Sequence, residues 1–115
     1  MGYVIKDKDS GKALVGNAEL ADSFWSRFLG LMGRQSLAPG QGLLLKKTGS
    51  VHTCFMRFPI CVVYLDKEYQ VIEKEILVPW RCGRIYRKAA HVLELGVSDG
   101  ERIHIGMKLE VERWD

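Results

Sequence analysis

The spacing of apolar and polar positions changes period several times along the chain, and each change marks an element. Tyr3-Val4-Ile5 and the 12–18 stretch are strand-forming segments on either side of Asp9-Ser10-Gly11, which predicts a hairpin. From Asp22 the period lengthens. Phe24, Phe28 and Leu31 recur at helical spacing behind an Asp22 or Ser23 cap, so one short amphipathic helix is expected over 22–31, stopped near Gly33. Leu43-Leu44-Leu45, bracketed by Gly40, Gly42 and the Thr48-Gly49-Ser50 turn, reads as a buried strand. Val51 to Met56 and Cys61 to Leu65 read as two more, with Pro59 in the connection because proline cannot donate to a ladder. The second of these is apolar at every position, which places it deep with both faces covered.

Asp66-Lys67-Glu68 turns the chain into a β-branched run from Tyr69 to Val78, ended by Pro79. A basic loop over 80–90 follows, then the extended Val92-Leu93-Glu94-Leu95. Ser98-Asp99-Gly100-Glu101 has capping-box form and predicts a helical turn closed by Gly106, and Leu109 to Val111 supply the last strand. Seven or eight strands with one or two short helices define an α+β, mainly β fold, either a small partly closed β-barrel or two packed sheets. A chain of 115 residues, 47% hydrophobic, has enough apolar surface for one core and too little length for two, so residues 1–115 form a single domain.

Seventeen basic residues against fourteen acidic give a formal charge of +3, too small to argue for a nucleic-acid footprint. There is no apolar run of about 18 residues and hence no membrane span, and Met1 to Asp7 lacks the pattern of a signal peptide. The expectation is a soluble protein, cytoplasmic as written and exported if a leader has been removed, with the oligomeric state open. Cys54, Cys61 and Cys82 are odd in number and without C-x-x-C spacing, so neither a disulfide framework nor a zinc knuckle is indicated. No cofactor is expected.

In an extended strand His52, Cys54 and Met56 face one way and Thr53, Phe55 and Arg57 the other. A histidine beside a cysteine can activate a thiolate or bind a soft metal. Neither a third orienting group nor a set of three or four ligands accompanies them, so no catalytic residue and no metal site is assigned. Arg27, Arg34 and Arg57 are candidates for planar, bidentate recognition of carboxylate or phosphate. Asp66 and Glu94 each punctuate an apolar strand and offer acid/base chemistry if they meet, although Asp66 is also a turn former. The candidate ligand-binding set is therefore Arg27, Arg34, His52, Arg57, Asp66 and Glu94. Trp80 to Lys88 interleaves aromatic and basic residues, the composition of a base-stacking surface, but with so small a net charge a solvated basic loop with an aromatic anchor is the plainer account. His91 and His104 lack ligand-like neighbours and read as structural.

Several blocks occur in an order that carries a resemblance: Arg27-Phe28-Leu29-Gly30-Leu31-Met32-Gly33-Arg34, Gly42-Leu43-Leu44-Leu45, His52 to Ile60, Leu65-Asp66 and Val92 to Leu95. Together they resemble the domain-of-unknown-function 192 family, also called uncharacterised protein family 0127, over about residues 12–112. The resemblance implies a compact, barrel-like α+β domain without an established activity. Its characteristic positions here are Arg27, Gly30, Leu31, Met32, Gly42, Phe55, Met56, Pro59, Asp66 and Glu94. Cys61 stands where the family pattern has an aspartate after Pro-Ile, and Met107-Lys108 replaces a Gly-Asp-type ending, which weakens acid/base or metal chemistry through that carboxylate. The function expected is a non-catalytic binding module for a small anionic or sugar-like ligand. Its alternatives are a thiol-dependent enzyme using Cys54 with His52 and a weak single-stranded nucleic-acid binder working through 80–88.

Overall fold

A computed structural model describes residues 2–21, 36–49, 51–53 and 56–114. The helix expected over 22–31, together with Arg27, Arg34, Cys54 and Phe55, lies outside the described residues. Seven strands occupy the described part: β1 (Gly2–Asp7), β2 (Ala13–Ala21), β3 (Gln41–Leu45), β4 (Ile60–Leu65), β5 (Val71–Leu77), β6 (His91–Leu95) and β7 (Leu109–Trp114). One short helix, α1 (Val97–Gly100), separates β6 from β7. The chain is mainly β, as its patterning predicts.

All seven strands belong to one mixed sheet in the order β5-β4-β6-β3-β2-β1-β7, and its ladder is not closed into a barrel. The two edge strands nonetheless approach each other at one end, where Gln70 and Lys108 form an isolated antiparallel bridge and Leu109 N donates to Tyr69 O. The first hairpin forms as expected: Asp7 accepts from Asp9 N and from the Ser10 hydroxyl, and Gly11 completes the turn at φ 76°, a value that only glycine adopts freely. The strands β2 and β3 are parallel, so no tight hairpin turn joins them. The strand β6 inserts between β3 and β4, antiparallel to both.

Alternation along the central strands sorts their side chains onto two faces. Cys61, Val63 and Leu65 of β4 join Leu44, Leu93 and Leu95 in one cluster, while Ile60, Val62 and Tyr64 join Leu43, Leu45 and Val92 in the other. Every residue of β4 is buried, as its unbroken apolar run demands, and burial of each Val, Leu or Ile contributes roughly 1.5–3 kcal/mol. Helix α1 packs against the first cluster so tightly that a Cβ on Gly100 would strike Cys61 Sγ and lie 2.6 Å from Cys61 Cβ. Lys74 of β5 secures the helix exit by donating to Gly100 O at 2.9 Å and Ile103 O at 2.7 Å, a cation placed where helix carbonyls point.

Two local expectations are corrected. Ser98 does not open a capping box: the N-cap is Gly96, with no side-chain bond, and Glu101 is the C-cap. The described residues of 51–56 do not form a strand either: among them His52 alone pairs, in an isolated bridge with Cys82, and Met56 N folds back onto Thr53 O at 3.1 Å.

Candidate functional site

That fold-back dissolves the shared face expected of His52 and Met56. His52 is exposed and Met56 is buried. The thiol opposite His52 belongs to Cys82: Thr53 N to Arg81 O and Gly83 N to Val51 O flank the pair, the pattern that brings facing side chains closest. Sequence spacing gave no sign of this pairing, because it joins segments thirty residues apart. Cys61, the other described cysteine, is buried, and its burial pushes the thiol pKa up, with Lys74 a smaller opposing influence. The thiolate form that nucleophilic chemistry needs is thereby suppressed at Cys61.

Thr53 is the organiser of this region. Its hydroxyl donates to Val78 O at 2.6 Å and accepts from Arg81 N at 2.7 Å, while its backbone bonds Arg81 O and Trp80 N. Further along, the Tyr64 hydroxyl donates to Glu75 Oε2 at 2.5 Å, and the same oxygen accepts from Arg84 N at 2.8 Å. Burial, followed by the Glu75 carboxylate, pushes ionisation of Tyr64 far above the usual phenol range. Tyr64 is thus a fixed donor.

The remaining candidates are dispersed. Arg57 is exposed ahead of β4, and Asp66 follows β4, a strand that spans roughly 20 Å at 3.3 Å per residue. Asp66 Oδ1 accepts from Glu68 N and Gln70 N, both at 2.9 Å, which is the turn-forming role weighed above. Glu94 is buried mid-strand opposite Leu43 and Val62, far along the sheet from Asp66. Among the described residues no three His, Cys, Asp or Glu side chains group as metal ligands.

The turn made by Asp66 leads to the feature that sequence reasoning missed. It holds Tyr69 at φ 63°, where the ring stacks on His91 with centroids 4.6 Å apart and planes 10° apart. His91 Nδ1 accepts from Lys47 N at 3.0 Å, and Lys47 is itself at φ 58°. Burial, then the Lys46 charge, hold the His91 pKa below its ordinary value, with Asp66 opposing. Beside this stack, at the end of the sheet where Gln70 meets Lys108, opens a cleft of about 410 Å³. Leu20, Leu44, Leu109 and Val111 are its aliphatic lining, Tyr3 and Tyr69 its aromatic lining, and Lys8, Lys46, Glu68 and Glu110 its charged groups. His52, Arg57 and Glu94 are not among its lining residues. The only sequence cue was Asp66-Lys67-Glu68-Tyr69, a turn that ends on an aromatic residue.

Comparisons with known proteins bear on the whole of this framework. A UPF0127 protein of Pyrococcus furiosus is 33% identical over 108 residues, spanning 90% of this chain and 93% of the relative. A UPF0127 protein of Pyrococcus abyssi is 31% identical over 118 residues, spanning 96% and 97%. The fold is shared with a protein of unknown function from Novosphingobium aromaticivorans, with a TM-score of 0.79 at 18% identity, covering 96% of this chain and 84% of that one. The family model DUF192, described as uncharacterized ACR, matches residues 4–111, so this chain belongs to the DUF192 (UPF0127) family.

Proposed function

We propose that this protein is a non-catalytic binding module for a small sugar-like ligand, held in the cleft between Tyr3 and Tyr69. The observation that carries the reading is the lining of that cleft. An aliphatic lining with aromatic side chains and a few charged groups is the composition of small-molecule sites, and about 410 Å³ lies within their usual range. Between the two ligand classes expected from sequence, the charge balance supports the sugar-like one. Lys8 and Lys46 are matched by Glu68 and Glu110, so the rim has no net attraction for an anion and offers both donors and carboxylate acceptors to hydroxyl groups. Asp66 enters this reading as the residue that shapes the Tyr69 turn.

The test is a thermal-shift series with neutral mono- and disaccharides beside their phosphorylated forms, on the parent protein and on Glu110→Gln and Lys46→Gln. A neutral sugar at a hundred times its Kd stabilises the fold by about 2.7 kcal/mol. Glu110→Gln is expected to weaken that response. A response confined to phosphorylated sugars and abolished by Lys46→Gln transfers the proposal to an anionic ligand, and no response to any sugar ends it.

A further inference from the structure

We propose that residues 78–88 form a docking surface for an anionic lipid bilayer. Two independent properties coincide there. Three of the five large hydrophobic side chains exposed among the described residues fall in eight residues of chain: Val78 at 48%, Trp80 at 57% and Ile85 at 82%. The same segment carries the exposed cations Arg81, Arg84, Arg87 and Lys88, and no acidic residue occurs between Glu75 and Glu94. Removing these four from the seventeen basic residues leaves thirteen against fourteen acidic, so this segment holds all of the formal positive excess. Apolar groups to enter the acyl boundary beside cations to meet headgroups are what a surface-bound, non-spanning protein presents.

The segment is also held in place before any partner arrives. It leaves β5 at Leu77, opposite Ile60, and returns to the other end of β4, where Ala90 N donates to Leu65 O. Along the way Thr53 binds residues 78–81, Val51 O accepts from Gly83 N, and Glu75 accepts from Arg84 N. The Tyr86 ring packs edge-on against Tyr64 with centroids 4.7 Å apart. With the backbone fixed, docking forfeits little conformational entropy.

The Tyr86 contact also favours a bilayer over nucleic acid. A base-stacking surface needs several available aromatic faces, and with Tyr86 turned to the core Trp80 is the one exposed ring in the segment. Val78 and Ile85 are aliphatic, useless for stacking but suited to the hydrocarbon boundary, while tryptophan favours the headgroup level.

Sedimentation with vesicles of phosphatidylcholine alone and of phosphatidylcholine with 30% phosphatidylserine tests the proposal, beside a mobility shift with single-stranded RNA. The expected result is binding to the phosphatidylserine vesicles only, lost in 0.5 M salt. Each of Arg84→Gln and Arg87→Gln should weaken it roughly fivefold, and Ile85→Ser about tenfold or more. Lys12→Gln, exposed on the first hairpin, should leave binding unchanged, and matching thermal midpoints verify that all variants fold. Failure to bind the charged vesicles overturns the proposal. So does binding that Ile85→Ser does not weaken, or RNA binding that Trp80→Ser alone removes without any vesicle binding.

Discussion

Removal of a single oxygen at Tyr64 tests how the 80–90 segment is fastened to the sheet. Tyr64 is fully buried, and its hydroxyl donates to Glu75 Oε2, which also accepts from Arg84 N. A hydrogen bond to a charged group contributes about 1.5–3 kcal/mol, and Glu75 is partly exposed, so water can replace part of what is lost. Tyr64→Phe is therefore expected to cost roughly 2 kcal/mol, or about 8 °C in Tm for a chain of this length. Gly83 supplies the second arm. A Cβ there would lie 2.5 Å from the Tyr64 hydroxyl oxygen, 3.0 Å from Val51 Cγ2 and 3.3 Å from Leu77 Cδ1. Gly83→Ala alone should cost about 2 kcal/mol, since it must displace that hydroxyl and overpack the site. Once the hydroxyl is gone the closest clash is relieved and the Val51 and Leu77 contacts remain, so the double variant should cost about 2.5 kcal/mol rather than the sum of roughly 4. Urea unfolding of the four proteins measures the coupling. Additivity within about 0.3 kcal/mol, or a Tyr64→Phe cost under about 0.5 kcal/mol, would refute the reasoning.

Thr53→Val removes the hydroxyl joining Val78 O to Arg81 N; a loss of roughly 2 kcal/mol and faster tryptic cleavage at Arg81 are expected, and unchanged cleavage would show that Thr53 does not hold the loop. His91 makes stability pH-dependent. Its folded pKa is depressed, so the unfolded chain binds the proton more readily; the contribution is present above about pH 6.5 and is lost as pH falls through the lower folded value. Unfolding free energies at pH 7 and 5.5 should differ in the parent and converge in His91→Gln, and an equal loss in both proteins would rule His91 out as the cause. Lys47→Gly relieves a left-handed backbone costing roughly 1–2 kcal/mol against a glycine entropy penalty of roughly 0.5–1, a net gain of about 0.5 kcal/mol. A lower midpoint for that variant would mean the lysine side chain contributes more than the strain it imposes.

The parts of the fold that were legible in the sequence are those in which side-chain chemistry repeats locally. The apolar run of β4 had to be buried on both faces, and Asp9-Ser10-Gly11 had to turn. What escaped depends on partners distant in the chain. The parallel pairing of β2 with β3 leaves no local signal, because parallel neighbours are not joined by a tight turn that a short sequence motif could mark. Residues 51–56 carry strand-forming side chains, yet Thr53 commits its bonds to residues 78–81, and beyond the His52–Cys82 bridge the described residues join no strand. Ser98 lost the N-cap because the helix begins two residues earlier than a Ser98 cap requires, at Val97 behind Gly96. Of the candidate site, Asp66 was read correctly as a turn former. The stack of Tyr69 on His91 was invisible, since nothing in composition marks a tyrosine as left-handed.

The location of that strain connects the two proposed surfaces. Among the described residues three non-glycine positions have positive φ: Lys47, Tyr69 and Trp80. Such residues persist only where the surroundings over-determine them, at about 1–3 kcal/mol each. The bonds that impose the conformation can be named in each case. Tyr69 N donates to Asp66 O while Tyr69 O accepts from Leu109 N; Lys47 N is fixed on His91; Trp80 N is fixed on Thr53 O, and Trp80 O accepts from Arg81 Nη1. Two of the three surround His91 beside the cleft, and the third opens the basic segment. A relaxed backbone at Tyr69 would carry its ring away from the cleft, and one at Trp80 would redirect the indole relative to Arg81 and Arg84. Because a left-handed residue reverses the direction in which its side chain leaves the chain, the strain at these two positions acts chiefly to aim an aromatic ring, and each ring lies on a surface proposed to bind.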